Sequence, residues 1–201
     1  MAAPQSPVSL VFELVALSLW LGAAVLFAAV VAPALFAVLP SRASAGEVVG
    51  RVLPVVLWAG IVVSLIVGFI EAVAQQVILT KNWSLRSQPP DLNDVVHFSG
   101  YRVAGQRAGA GFLIALACGY ALVLGQRIDK LLASAGGSIE VLSPSDPRRI
   151  DFGRMHAWSV AALGVAMLSA AGLAISVVRR LLGTRAARRT FQQSLEPSHH
   201  A

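Results

Sequence analysis

The sequence predicts an all-α integral membrane protein: a four-transmembrane-helix bundle with a short interfacial helix between helices 1 and 2. Three observations carry this reading. From Leu14 to Ser41 no side chain is charged, and about 20 apolar residues suffice to cross a bilayer core as a helix. Three further runs approach that length: Val52 to Leu79, interrupted only by Glu71; Ala108 to Gln126; and Met155 to Val178, interrupted only by His156. Finally, the chain of 201 residues is 56% hydrophobic and 13% charged, against about 25% charged in soluble domains. Helices of this length with almost no polar face exclude a water-soluble bundle, whose surface helices need one.

The first span covers about residues 8–31. Met1 to Ser9 contains no Lys or Arg, and the apolar run outlasts a signal-peptide core of about 7–15 residues, so the helix is expected to stay in the chain. Pro33 removes a backbone donor and favours a break; Ala34 to Val49 then fits the short interfacial helix. The second span covers about 52–79, with Pro54 near its start, where a missing N–H matters least. Lys81 to Ala104 reads as a linker containing Pro89-Pro90-Asp91, with Trp83 and Tyr101 suited to the headgroup zone. The third span covers about 105–127 and leads into a glycine-containing loop from Asp129 to Ser145. Asp146-Pro147 has the form of an N-cap followed by proline at the first helical position, ahead of a fourth span at about 154–178. Residues 1–182 therefore form one membrane domain, and 183–201 a polar basic tail expected to fray.

Small residues recur every four positions in three of the spans: Gly60, Ser64 and Gly68; Gly111, Ala115 and Gly119; Ala162, Ala166, Ala170 and Ala174. Such spacing lets helices approach closely in lipid and favours a compact bundle.

The net charge of +6 does not point to nucleic acid. Arg179, Arg180, Arg185, Arg188 and Arg189 follow the fourth span directly, where arginines contact anionic lipid headgroups and are retained on the cytoplasmic side. With four spans, both termini are then expected in the cytoplasm. Alanine- and arginine-rich usage points to a bacterial plasma membrane. The expected partners are the lipid bilayer and either another membrane protein or a second copy of the chain.

Glu13 and Glu71 are the acidic residues within the apolar segments, and a carboxylate in hydrocarbon has to face protein, water or the interface. At about 100° per residue Glu71 shares a helix face with Gly60, Ser64 and Gly68, joined by Gln75. Antiparallel spans place Glu13, Glu71 and Arg107 on one membrane side. A cluster of Glu13, Glu71, Gln75 and Arg107 is expected either as a structural ion pair or carboxylates snorkelling to the nearby headgroup region, the leading reading, or as a proton or ion path. Cys118 is the single cysteine and reads as a small buried hydrophobe. His156 has no histidine partner in another span, and Met155 and Met167 are the only methionines in the spans, which disfavours haem and copper. No nucleophile elbow, phosphate loop, zinc motif or serine triad pattern is present. No catalytic residue, metal or cofactor is expected.

Trp20-Leu21-Gly22, Ala32-Pro33-Ala34-Leu35-Phe36, Leu39-Pro40-Ser41-Arg42 and Ala45-Gly46 resemble the opening of the transmembrane protein 205-like family, a membrane domain of unknown function. Phe152-Gly153-Arg154-Met155-His156-Ala157-Trp158-Ser159 resembles the Phe-x-x-x-His-x-x-Ser start of that family's last helix. The chain departs from the family where an amide often follows, since Val160-Ala161-Ala162-Leu163 contains none. The resemblance spans both ends of roughly residues 10–178 and implies a four-helix membrane protein with no established reaction. The leading expectation is a small structural or accessory membrane subunit; the alternative is a small transporter or ion-conducting protein built on Glu13, Glu71 and Arg107.

Overall fold

The computed structural model describes the backbone of residues 6–85 and 94–195, and the side chains of residues 6–73, 76 and 106–183. The described chain is helical, without strands: α1 (Pro7–Leu26), a π-helical turn (Phe27–Val31), α2 (Ala32–Val38), α3 (Arg42–Leu85), α4 (Asp94–Ser134) and α5 (Pro147–Leu195). Four segments, Pro7–Val38, Arg42–Val73, Gln106–Ser134 and Pro147–Gly183, are long and apolar enough to cross a membrane.

Local chemistry explains the boundaries, including those that differ from expectation. Ser6 caps α1 by accepting from the Ser9 N–H at 3.2 Å, with Pro7 in the first helical turn. Pro33 does not end the first span. The π-helical turn lets the Ala32 N–H bond to the Phe27 carbonyl, and Pro33 then falls in the first turn of α2, where its absent donor costs little. The break comes at Leu39, whose backbone is extended (φ −76°, ψ 148°) because Pro40 disfavours the helical region for the residue before it. Ser41 restarts the helix by accepting from the Ser44 N–H at 3.1 Å. The short helix is thus Ala32–Val38, continuous with the first span, whereas Arg42 to Val49 open α3.

Pro54 accordingly lies well inside α3, not near its start, and leaves the Gly50 carbonyl without its intrahelical donor. The expected linker is helical at both ends, since α3 continues to Leu85 and α4 begins at Asp94; Pro89, Pro90 and Asp91 lie outside the described residues. α5 likewise runs past residue 178 and is helical to Leu195.

The α4–α5 connection is tightly specified. Gly137 N–H bonds to the Leu132 carbonyl (2.9 Å) and Gly136 N–H to that of Ala133 (3.3 Å). This is the Schellman pattern, which needs the left-handed conformation that Gly136 supplies (φ 75°). Asp146 caps α5 by accepting from the Arg148 N–H at 2.8 Å and also pairs with the Arg148 guanidinium at 2.9 Å. Arg148 in turn donates to the Ser134 carbonyl at the end of α4. These Arg148 contacts hold the Asp146 carboxyl below the usual carboxylate range.

In space the helices form a ring: α1 packs on α3 and α5, α3 on α4, and α4 on α5. The core contains Leu17, Trp20 and Ala24 from α1, Leu57 and Val67 from α3, Ile114 and Cys118 from α4, and Ala166, Ala170 and Leu173 from α5. Large apolar side chains such as Leu19, Phe69, Phe112 and Leu168 point outward, the distribution expected when the surrounding solvent is lipid. Two close approaches set the helix spacing. A Cβ on Gly111 would meet the Ser64 carbonyl at 3.5 Å, and one on Gly60 would lie 2.7 Å from the Trp20 indole. The Trp20 Nε1–H donates to the Val56 carbonyl at 2.9 Å, tying α1 to α3.

Candidate functional site

Helical periodicity drives four charged side chains into one end of the bundle. On α1 the buried stripe runs Leu10, Glu13, Leu17, Trp20, Ala24, alternating steps of three and four that keep one face inward. Glu71 extends the buried positions Ser64 and Val67 of α3, and Arg107 precedes Gly111 and Ile114 on α4. On α5 the stripe Ala166, Ala170, Leu173, Val177 leads to Arg180. Because successive helices are antiparallel, the start of α1, the later part of α3, the start of the α4 span and the later part of α5 meet at the same end.

Arg107 and Glu71 form a buried ion pair, Nη1 to Oε1 at 3.0 Å, with 4% and 1% of their surfaces exposed. Arg107 Nε also donates to Ser176 Oγ at 2.6 Å. Arg180 reaches across the diagonal of the ring and places its Nη1 3.3 Å from the same Glu71 oxygen. Its side chain is 32% exposed, so the network runs from the bundle interior to its end. Glu71 thereby has two guanidinium partners, the compensation a buried carboxylate needs.

Glu13 is different. It is 0% exposed, and among the described residues neither carboxylate oxygen has a hydrogen-bond partner. It lies on the inward stripe of α1 between Leu10 and Leu17, at the end of the bundle that also holds Glu71, Arg107 and Arg180. A buried polar group without a partner costs on the order of 1–3 kcal/mol, more when charged. Among the described residues, no group of three or more His, Cys, Asp and Glu side chains comes together.

The structure thus pairs Glu71 with Arg107 and buries Glu13 at the same end of the bundle; the Gln75 side chain lies outside the described residues. Ser176, not singled out from sequence, bonds to Arg107, and Arg180, expected among the headgroup arginines, bonds to Glu71. The Arg180 side chain is partly exposed with its Nη1 3.3 Å from Glu71 Oε1, and Arg179 is exposed. The side chains of Arg185, Arg188 and Arg189, like those of Trp83 and Tyr101, fall outside the described residues. The signal for Arg180 was present in the three- and four-residue steps of the α5 stripe. A strict period of four, as in Ala162 to Ala174, drifts by about 40° per step and loses the face before Arg180 is reached.

The motif residues divide between packing and the opposite end of the bundle. Trp20 is buried against α3, and Gly22 is exposed. Pro33 and Phe36 are exposed on α2, Pro40 sits at the break, Arg42 is exposed at the first position of α3, and Gly46 is half-buried. At the start of α5, the Phe152 and His156 rings stack at 5.9 Å, with His156 exposed. Arg154 pairs with Asp151 at 3.0 Å, and Ser159 is buried. His156 is therefore at the other end of the bundle from Glu13.

A family model described as "Domain of unknown function (DUF4149)" matches residues 15–90. The match runs from the body of α1 through α3 and includes Trp20, Gly60 and Glu71. No curated protein and no solved structure matches the chain.

Proposed function

We propose that this chain is a small, non-enzymatic membrane transport protein that moves protons by reversible protonation of Glu13, with Glu71, Arg107 and Arg180 as its charged surroundings. The reading places it in a bacterial plasma membrane with both termini cytoplasmic, as a protein of the transmembrane protein 205-like kind. It is carried by one observation: a fully buried carboxyl group with no hydrogen-bond partner on either oxygen among the described residues. Intramembrane ionisable groups are costly, and proton relays are a principal use for them.

An accessory-subunit role accounts for the close packing at Gly60 and Gly111 but gives Glu13 no task. Protonation neutralises the carboxylate and removes most of the cost of burying it. The proton reaches Glu13 from the end of the bundle where Arg180 is partly exposed. Movement of α1 has a natural bending point in the π-helical turn Phe27–Val31, since such turns interrupt the regular hydrogen-bond ladder.

The test is proton uptake into vesicles that contain the purified protein and a pH-sensitive dye, driven by an acidic exterior in potassium chloride. Native protein is expected to acidify the interior faster than empty vesicles, and Glu13→Gln to abolish that difference while remaining monodisperse. Equal rates for native protein and Glu13→Gln, or no protein-dependent uptake, would refute the reading.

A further inference from the structure

We infer that the outward face of α4 is the interface between two copies of this chain, closed by a hydrogen bond between their Tyr120 hydroxyls. The inference is independent of the proton reading and uses no residue of that site. Tyr120 is 49% exposed on the outside of the bundle, and among the described residues its hydroxyl takes part in no hydrogen bond.

The depth of Tyr120 in the membrane makes that hydroxyl costly. The residue lies inside the uncharged run Ala108 to Gln126, about 9 Å from the Gln126 end at 1.5 Å per residue. A helical side chain leans toward the N-terminus of its own helix. The phenol is therefore carried away from Gln126 and deeper into a hydrocarbon core about 30 Å thick. A lipid-facing hydroxyl there meets no water, and leaving it without a partner is strongly disfavoured. The exposed tryptophans Trp58 on α3 and Trp158 on α5 are in the opposite situation. Their helices run against α4, so the same lean carries them toward Arg51 and Arg154 at the polar ends of their spans, where indoles are ordinarily found.

The occupant that answers this need is a second copy. Acyl chains offer no hydrogen-bond acceptor. Copies inserted with the same orientation are related by a two-fold axis along the membrane normal, which brings each residue of a shared helix face opposite itself. A phenol hydroxyl both donates and accepts, so one Tyr120 can donate to the other; an indole N–H, a donor only, could not pair with its own copy. The stripe around Tyr120 has the matching shape. Gly109, Leu113, Leu116, Tyr120 and Val123 are all exposed and follow steps of four and three, the 3.5-residue repeat of a left-handed helix pair. Gly109 has no side chain to hold the two helices apart. At the other end Arg127, also exposed, continues the stripe into the headgroup zone, where two long guanidinium arms can spread.

The experiment introduces single cysteines into the full chain, whose own Cys118 is buried. A copper–phenanthroline oxidant is applied to intact membranes of producing cells and to purified protein in vesicles of phosphatidylcholine and phosphatidylglycerol. Leu116→Cys and Val123→Cys are expected to give a disulfide-linked dimer, and the native chain none. Leu19→Cys on α1 and Leu168→Cys on α5, both outward-facing on other helices, are expected to give none either. Energy transfer between labelled copies at increasing lipid dilution then measures the dimer equilibrium. Tyr120→Phe keeps the ring and removes the hydroxyl, and is expected to weaken dimerisation about three- to tenfold, the range of a hydrogen bond between membrane helices. A chain that is monomeric at every dilution would overturn the inference and leave lipid as the occupant of this face. Dimers crosslinked through Leu19→Cys or Leu168→Cys instead, or crosslinks from Leu116→Cys only to a different protein, would overturn α4 as the self-interface. Equal dimerisation of the native chain and Tyr120→Phe would overturn the role of the hydroxyl.

Discussion

Replacing Gly60 by alanine tests the α1–α3 contact that positions Glu13 opposite Glu71. The added Cβ would lie 2.7 Å from three atoms of the Trp20 indole, whereas carbon atoms in favourable contact are about 3.5–4.0 Å apart. The ring must retreat by about 1 Å, which strains or breaks the 2.9 Å Nε1–Val56 hydrogen bond. Overpacking a core by a methyl group costs about 1–3 kcal/mol, and a hydrogen bond between membrane helices contributes about 0.6 kcal/mol. The higher helix propensity of alanine returns up to about 1 kcal/mol in water. A net destabilisation of about 1–2 kcal/mol follows from these terms. The assay is equilibrium unfolding in mixed micelles with increasing dodecyl sulfate, run as a double-mutant cycle with Trp20→Ala. In the Trp20→Ala background the Gly60→Ala penalty is expected to vanish or reverse, because the clashing ring is gone. An equal penalty in both backgrounds, or native stability for Gly60→Ala alone, would refute the packing described.

Three further outcomes are expected. Glu71→Gln leaves Arg107 without its buried counter-charge and should destabilise the protein toward the lower end of the roughly 3–5 kcal/mol typical of broken buried pairs, since Arg180 can turn outward; the same micelle titration measures it. Asp146→Asn should produce a pH-dependent difference in thermal midpoint from native protein. The folded carboxyl is held below its unfolded value of about 3.9, so its contribution is full above that pH and disappears as pH falls through the lower, folded value. Trp20→Phe keeps most of the apolar contact but removes the bond to Val56, and should cost about 1 kcal/mol in the mixed-micelle titration.

The four apolar segments could be read from the chain because spanning length and lack of charge are properties of a single stretch of sequence. The Asp146-Pro147 start of α5 was legible for the same reason, being a local cap. The first-span boundary was not. Pro33 and Pro40 look alike as punctuation, yet the π-helical turn absorbs Pro33, and only Pro40 forces its predecessor, Leu39, into an extended conformation. Likewise, hydropathy marks where a helix crosses lipid but not where it stops in water, so the helical continuations to Leu85 and Leu195 carried no apolar signal. Within the cluster, one helical face placed Glu71 inward, and antiparallel topology brought Glu13 and Arg107 beside it. Arg180 was obscured by its position in an arginine-rich segment that suits headgroups equally well. That Glu13 has no hydrogen-bond partner among the described residues is a tertiary fact: it depends on which side chains from other helices come within reach, and no spacing in α1 encodes that.

The most direct test of the central claim is whether Glu13 takes up a proton inside the folded bundle. A hydrophobic carbodiimide reacts with protonated carboxyl groups, so intact protein in lipid can be treated at a series of pH values and the adducts located by peptide mass spectrometry. The account predicts an adduct on Glu13 whose yield falls as pH rises, with Glu71, paired to Arg107 and Arg180, left unmodified. Modification of Glu71 with Glu13 untouched, or a Glu13 yield that does not change with pH, would contradict it.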